Sequence, residues 1–265
     1  MEVLGKHLYA QSLFIGEDYM IRVARYVFLA LNFVLASVLG ILLGLIRPFH
    51  PSNSRLCARF YGFLGLPIIG IDVESSGLEN FPKGKPFIVV ANHQSNWDLY
   101  VVGSVVPERT VSLGKKSLKW APLFGQLYWL AGNILIDRGN PKKAMEAMEI
   151  TKRALIESNT NIWFFAEGTR NRGKNMLPFK KGAFVTAINA GVPIVRVCTS
   201  AYLDGFGMGK LNNGTAKIRV LPEIETKDLS MNDVNKLMAH CHESMLEVIN
   251  ELNSPVIEGS AASTN

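Results

Sequence analysis

The chain has 265 residues, with 28 Lys and Arg against 22 Asp and Glu, a formal net charge of +6. This length suits one α/β domain with an appended segment, and the basic excess suits anionic lipid or a phosphorylated substrate. No arginine-rich tract, zinc-ligand spacing or RNA-binding aromatic motif accompanies the charge, which sets nucleic acid and metal aside. Cys57, Cys198 and Cys241 are widely separated and odd in number, pointing to packing roles in a reducing compartment rather than a disulfide framework.

In chain order, the first predicted element is the apolar run Tyr26 to Ile46, broken only by Asn32, Ser37 and two glycines, with Arg22 and Arg25 before it and Arg47-Pro48 after it. It is long enough to cross a bilayer core of about 30 Å. A signal peptide fits poorly, because the run is too long and lies too far from Met1. A second stretch, Phe60 to Ile71, is apolar but short and carries Gly62, Gly65, Pro67 and Gly70; it reads as an interfacial segment. Arginines flank the long run on both sides, so charge leaves its orientation open. A single span and a two-helix anchor re-entering one leaflet both remain, and residues 1–76 are read as the segment that anchors the chain to a phospholipid bilayer.

From about Leu78 the texture changes to alternating short apolar runs and amphipathic segments. Strands are predicted at Phe87 to Ala91, Thr110 to Leu113, Asn133 to Ile136, Ile162 to Ala166, Ile194 to Thr199 and Lys217 to Leu221. A helix opened by Pro141 is expected between Asn140 and Ser158, and a closing helix from Met231 to Leu252 with Ser230 as its N-cap. The fold class is therefore α/β, a largely parallel or mixed sheet flanked by helices behind an N-terminal hydrophobic helical anchor. The domain is placed at 77–254, and the tail 255–265 is expected to be disordered. His240-Cys241-His242 falls within the closing helix, where adjacent side chains diverge by about 100° and suit no metal. Gly205 to Lys210 fits neither phosphate-loop pattern and reads as a flexible turn.

The chemistry gathers in the loops that follow strands. Ala91-Asn92-His93-Gln94-Ser95-Asn96-Trp97-Asp98 directly follows the first apolar run, where doubly wound sheets place ligands. A loop turning into a helix can fold Asp98 back onto His93, hold one imidazole nitrogen protonated and leave the other to accept a proton. A second loop carries Glu167-Gly168-Thr169-Arg170, then Arg172, Lys174 and Lys180-Lys181-Gly182. Gly168 lets backbone approach a ligand, Arg170 offers a planar fork for phosphate, and Lys180-Lys181-Gly182 can open a helix. Lys115-Lys116 and Asp137-Arg138 follow two further strands. No Gly-x-Ser-x-Gly elbow occurs, so the base is expected to activate a hydroxyl on a substrate. With an anchor and phosphate-binding cations, this describes acyl transfer to a phosphorylated lipid.

Four ordered blocks, Asn92-His93 through Asp98, Gly132 to Arg138, Phe165-Ala166-Glu167-Gly168-Thr169-Arg170 and Val192-Pro193-Ile194, resemble those of the glycerolipid acyltransferases. Val111 to Leu118, Phe124 to Leu130 and Leu177 to Phe184 make the chain most similar to the bacterial 1-acyl-sn-glycerol-3-phosphate acyltransferases, over roughly Arg22 to Leu252. The resemblance implies that His93, oriented by Asp98, deprotonates the sn-2 hydroxyl of lysophosphatidate as it attacks a thioester of acyl-CoA or acyl-carrier protein, giving phosphatidate. It implies substrate binding by Lys116, Arg138, Glu167, Gly168, Thr169 and Arg170, no bound cofactor, and a catalytic domain on the cytoplasmic side of the inner membrane. Ala166 and Arg196 stand where the family usually has proline; they are expected to loosen the loop before Glu167 and to add a cation near the strand at Ile194. Transfer to glycerol-3-phosphate or another lysophospholipid, thioester or lipid-ester hydrolysis with Ser95 or water, and non-catalytic lipid binding are the competing readings.

Overall fold

The structure is a computed structural model that describes residues 2–137, 139 and 141–254. The expected disorder of 255–265 lies outside them. Seven strands form one sheet in the order β1-β7-β6-β2-β5-β3-β4. These are β1 (Asp72–Ser76), β2 (Ile88–Ala91), β3 (Thr110–Lys115), β4 (Ile134–Ile136), β5 (Asn161–Phe165), β6 (Ile194–Thr199) and β7 (Thr215–Val220). All neighbours pair in parallel except β6 with β7. The carboxyl ends of β6, β2, β5, β3 and β4 therefore open on one edge of the sheet.

The mixed α/β sheet follows the expected plan, and each of the six predicted strands forms with ends shifted by at most a few residues. β2 and β6 are buried along their whole length, which is why β2 reads as an unbroken apolar run and β6 as an apolar run interrupted by Arg196. β1 went unpredicted and lies inside the segment assigned to the anchor. Its sequence, Asp72-Val73-Glu74-Ser75-Ser76, has no apolar run because it is an exposed edge strand.

Alternating strand residues feed two cores. Val89, Ala91, Trp163, Val195 and Val197 face one side, which is covered by α1 (Glu2–Ile46) and α2 (Asn53–Ile69) together with α3 (Asp98–Val101) and α4 (Phe124–Leu130). Ile88, Val90, Ile162, Phe164 and Ile194 face the other, under α5 (Pro141–Glu157), α6 (Gly182–Ala190) and α7 (Val234–Asn253). Ser230 does cap the closing segment, in a reciprocal capping box with Asp233.

α1 is long and apolar enough over Asp18–Ile46 to cross a bilayer, yet it is fastened to the domain along its length. Leu29 and Ala36 enter the core. The Asn32 side chain donates to the Tyr61 carbonyl at 3.1 Å, Ser37 pairs with the Tyr61 hydroxyl at 2.7 Å, and Arg25 donates to the carbonyls of Met208 at 3.3 Å and Leu211 at 2.7 Å. Gly205 to Lys210 does form turns, but this loop is pinned by Arg25 and by Asn213, whose side chain accepts from the Gly207 N–H at 2.8 Å.

Candidate active site

Three adjacent strands, β6, β2 and β5, deliver the site from their carboxyl ends. Asn92, at the end of β2, exchanges two hydrogen bonds of 2.9 Å with the backbone of Thr199, at the end of β6. On the other side the loop after β5 runs along the loop after β2, with Asn171 N–H donating to His93 O at 2.9 Å and Arg172 N–H to Gln94 O at 3.0 Å. His93 is thus held between two strand ends, by the Asn92 side chain on one side and by backbone bonds on the other, before its own side chain is considered.

The expected fold-back of Asp98 is present. His93 Nδ1 lies 2.6 Å from Asp98 Oδ2, and that oxygen also accepts the N–H groups of Gln94 at 2.7 Å and Ser95 at 3.1 Å. An oxygen already receiving two N–H donors serves as an acceptor for the imidazole as well, so Nδ1 carries the proton and Nε2 presents a lone pair. Asp98 is 3% exposed and the His93 side chain 21%. The imidazole stacks on Phe165 with 4.0 Å between ring centroids, which fixes the plane in which Nε2 points.

Glu167 is fully buried and turned inward. Its Oε1 accepts the His93 N–H at 2.7 Å and its Oε2 the Leu177 N–H at 2.8 Å. Burial raises its carboxyl above the ordinary carboxylate range, against the pull of those two N–H groups. Gly168 takes φ +72°, the left-handed turn that a glycine supplies freely. Thr169 and Arg170 are exposed, and Arg170 Nη1 donates to the Asn96 side chain, joining the second loop to the first. Lys116 lies at the end of β3, two strands along from β2, paired at 3.3 Å with Asp137. Arg138 falls outside the described residues.

The two departures from the family pattern are accommodated. Ala166 is buried, donates to Ala91 O at 3.2 Å and accepts from Lys180 N–H at 2.7 Å, so the loop before Glu167 is pinned without a proline. Arg196 brings no cation to the site. It points towards α7, where Nη1 donates to Ser244 Oγ at 2.7 Å and Nη2 to the Pro222 carbonyl at 2.9 Å. Lys181 does precede a helix, α6. Ser95 Oγ accepts the Trp97 N–H and pairs with the Tyr202 hydroxyl, each at 2.9 Å.

Tyr202 is the residue that the sequence reading missed. It lies just past β6, is 5% exposed, and donates its hydroxyl to Asp98 Oδ1 at 2.5 Å. The only sequence signal for it was its place beyond a predicted strand's carboxyl end. Beside the pair, a pocket of about 320 Å³ opens between α5 and α6, lined by Leu113, Ile136, Met148, Phe165 and Ala183 with Lys180 at its edge. Phe165 is shared between this apolar wall and the face of His93.

The end of the sheet's central strand thus carries a histidine backed by a buried carboxylate, with apolar room alongside, the arrangement of an α/β enzyme site. A family model described as Acyltransferase matches residues 72–200. The chain is 39% identical over 241 residues to the 1-acyl-sn-glycerol-3-phosphate acyltransferase of Haemophilus influenzae, covering 91% of this chain and 100% of that one. It is 38% identical over 243 residues to the protein of that name from Escherichia coli strain K12, covering 92% and 99%. The solved structure of the 1-acyl-sn-glycerophosphate (LPA) acyltransferase from Thermotoga maritima matches with a TM-score of 0.61 at 24% identity, covering 92% of this chain and 100% of that chain, and shows the same fold. The chain belongs to the acyltransferase family of these bacterial proteins and is an acyltransferase.

Proposed function

We propose that the protein transfers a fatty acyl group from acyl-CoA or acyl-carrier protein to the sn-2 hydroxyl of 1-acyl-sn-glycerol-3-phosphate, forming phosphatidate for phospholipid synthesis. The observation that carries this reading is the His93–Asp98 contact at 2.6 Å, with Nε2 left as the accepting nitrogen. His93 Nε2 takes the hydroxyl proton as the oxygen adds to the thioester carbonyl. The tetrahedral adduct collapses, breaking the C–S bond, and the proton returns from His93 to the departing thiolate. No resident cofactor enters the scheme, and the apolar pocket beside Phe165 offers room for acyl chain.

Arg170, on the loop that Asn96 ties to His93, and Lys116 are the cations we assign to the acceptor phosphate, with Arg138 assigned from the sequence alone. Thr169 and Gly168 shape that loop, and Glu167 acts by holding the His93 backbone. The names of the relatives support lysophosphatidate as the acceptor. Ser95 serves as a hydrogen-bonding strut between Trp97 and Tyr202, which favours a substrate hydroxyl over Ser95 as the attacking group.

The anchor reading we favour is the two-helix one, on the inner membrane with the domain towards the cytoplasm, where thioester donors are found. Only 33% of the most apolar window of α1 is buried. Phe28, Leu31, Leu35, Leu39 and Leu42 of α1 are exposed, as is Phe63 of the neighbouring α2. Domain contacts run from Arg25 to Ala36 and on to α4; a helix lined by its own domain over that length lies along one leaflet rather than through both.

The test supplies purified, detergent-solubilised protein with labelled acyl-CoA or acyl-carrier protein and, in parallel, lysophosphatidate, glycerol-3-phosphate and lysophosphatidylcholine. Phosphatidate from lysophosphatidate, abolished in a folded His93→Ala variant, is the expected result. Product from a different acceptor would replace the substrate assignment. Free fatty acid without acceptor would favour hydrolysis, and appreciable transfer by His93→Ala would remove the base role.

A further inference from the structure

Asp98 has two carboxylate oxygens, and the catalytic argument uses one. Oδ2 serves His93 and the N–H groups of Gln94 and Ser95. Oδ1 receives the Tyr202 hydroxyl. The direction of that bond follows from its neighbours. The Asp98 carboxylate can only accept, so the single Tyr202 hydroxyl hydrogen goes to Asp98, and the Tyr202 oxygen is left to accept the hydrogen of Ser95, whose Oγ accepts the Trp97 N–H. The result is a directed chain, Ser95 to Tyr202 to Asp98, meeting His93 from the far side.

We infer that Tyr202 is a positioning residue for the catalytic pair, a buried phenol that fixes the Asp98 carboxylate and tempers its hold on the His93 proton. The inference rests on the base role proposed for His93. Tyr202 is suited to it by placement: its backbone N–H donates to Ser200 O at 2.8 Å, and the Gln94 side chain donates to the same carbonyl at 2.7 Å. The backbone that carries the ring is thus tied to the end of β6, and through Gln94 to the loop of β2. Burial and the Asp98 charge push the phenol far above its usual range, so it stays a donor at every working pH.

Among the described residues, the ionisable groups that meet the pair are Tyr202, Glu167 at the His93 backbone, and Arg170 through Asn96. Of these only Tyr202 donates to Asp98 from a side chain other than the imidazole. Replacing it by phenylalanine leaves Oδ1 unpaired and concentrates negative charge on the carboxylate. An imidazolium beside that carboxylate is then favoured, and the base becomes protonated at higher pH.

The experiment is Tyr202→Phe in the full-length, detergent-solubilised enzyme, read in two ways. Acyl transfer is followed across pH, and the carbethoxylation of His93 by diethyl pyrocarbonate is followed across pH by peptide mass spectrometry, which needs no acceptor. The expected result is a fall in kcat of about tenfold with the KM for the acceptor nearly unchanged. The acid limb of the rate profile and the carbethoxylation midpoint should both move upward by about one pH unit. Loss of activity by the same factor at every pH, with neither midpoint moved, would reduce Tyr202 to a packing residue and overturn the inference. A shifted carbethoxylation midpoint in a protein that uses a different acceptor would retire the substrate assignment and leave this inference standing. Should the phenylalanine variant fail to fold, Ser95→Ala, which weakens the chain at its far end, must show a smaller upward shift; no shift there would count against it.

Discussion

Glu167 is the side chain on which the two catalytic loops meet, because one carboxylate accepts a backbone N–H from each. Glu167→Gln keeps the volume but replaces one acceptor oxygen with an NH₂ that faces an N–H, leaving a buried donor unsatisfied. A loss of about 1–3 kcal/mol in stability is expected from chemical denaturation, together with reduced turnover as the His93 backbone loosens. The pH dependence has a definite sign. A carboxyl raised in the folded state binds its proton more tightly there than in the unfolded chain. Its contribution to stability is full below the ordinary carboxylate range and falls as pH rises through the raised value. The stability advantage of wild type over Glu167→Gln should therefore shrink from about pH 4 towards neutrality; a gap that widens over that interval would contradict the assigned direction. His93 and Asp98 were legible in the sequence because their contact is local, made within one loop directly after an apolar strand. Tyr202 was not, since its partner lies 104 residues away and only the adjacency of β6 to β2 brings them together.

α2 and α3 show how an element remote from the chemistry sets it. The Tyr100 ring on α3 lies where a β-carbon on Gly65 of α2 would come within 2.0 Å of it. Tyr100 is 6% exposed and has little room to retreat, and α3 is the short helix that begins with Asp98. Gly65→Ala should lower stability by about 1–3 kcal/mol through overpacking, a fall of several degrees in Tm, and reduce kcat while vesicle binding is retained. Unchanged Tm and kcat would mean that the α2–α3 contact is loose. Among elements, β2, β5 and β6 were readable because burial on both faces makes a strand predominantly apolar. β1 left no such trace, being a polar edge strand. The antiparallel pairing of β6 with β7 was equally hidden, because strand direction is settled by the connection and carries no mark in composition.

At the scale of the whole molecule, the sequence suggested an appendage, and the structure shows a wall of the core. Leu29 and Ala36 of α1 are buried with Cys57, Tyr61 and Leu127, and Asn32 and Ser37 supply polar partners to Tyr61. Removing residues 1–50 should therefore yield an aggregating, poorly folded chain, because it opens that core and strips its polar bonds. Circular dichroism and solubility of the truncated protein, with and without detergent, check this. A soluble, cooperatively folding and active fragment would show that α1 is dispensable to the domain.

The bonds from Arg25 to the loop that begins beyond Tyr202 give the apolar helix a fixed relation to His93. With the anchor proposed above seated in a bilayer, an enzyme held in this way would search in two dimensions, at constant height and with its orientation already chosen. What such a catalyst senses is crowding per unit area: diluting the acceptor with inert lipid at a fixed total amount slows it, whereas adding more buffer does not.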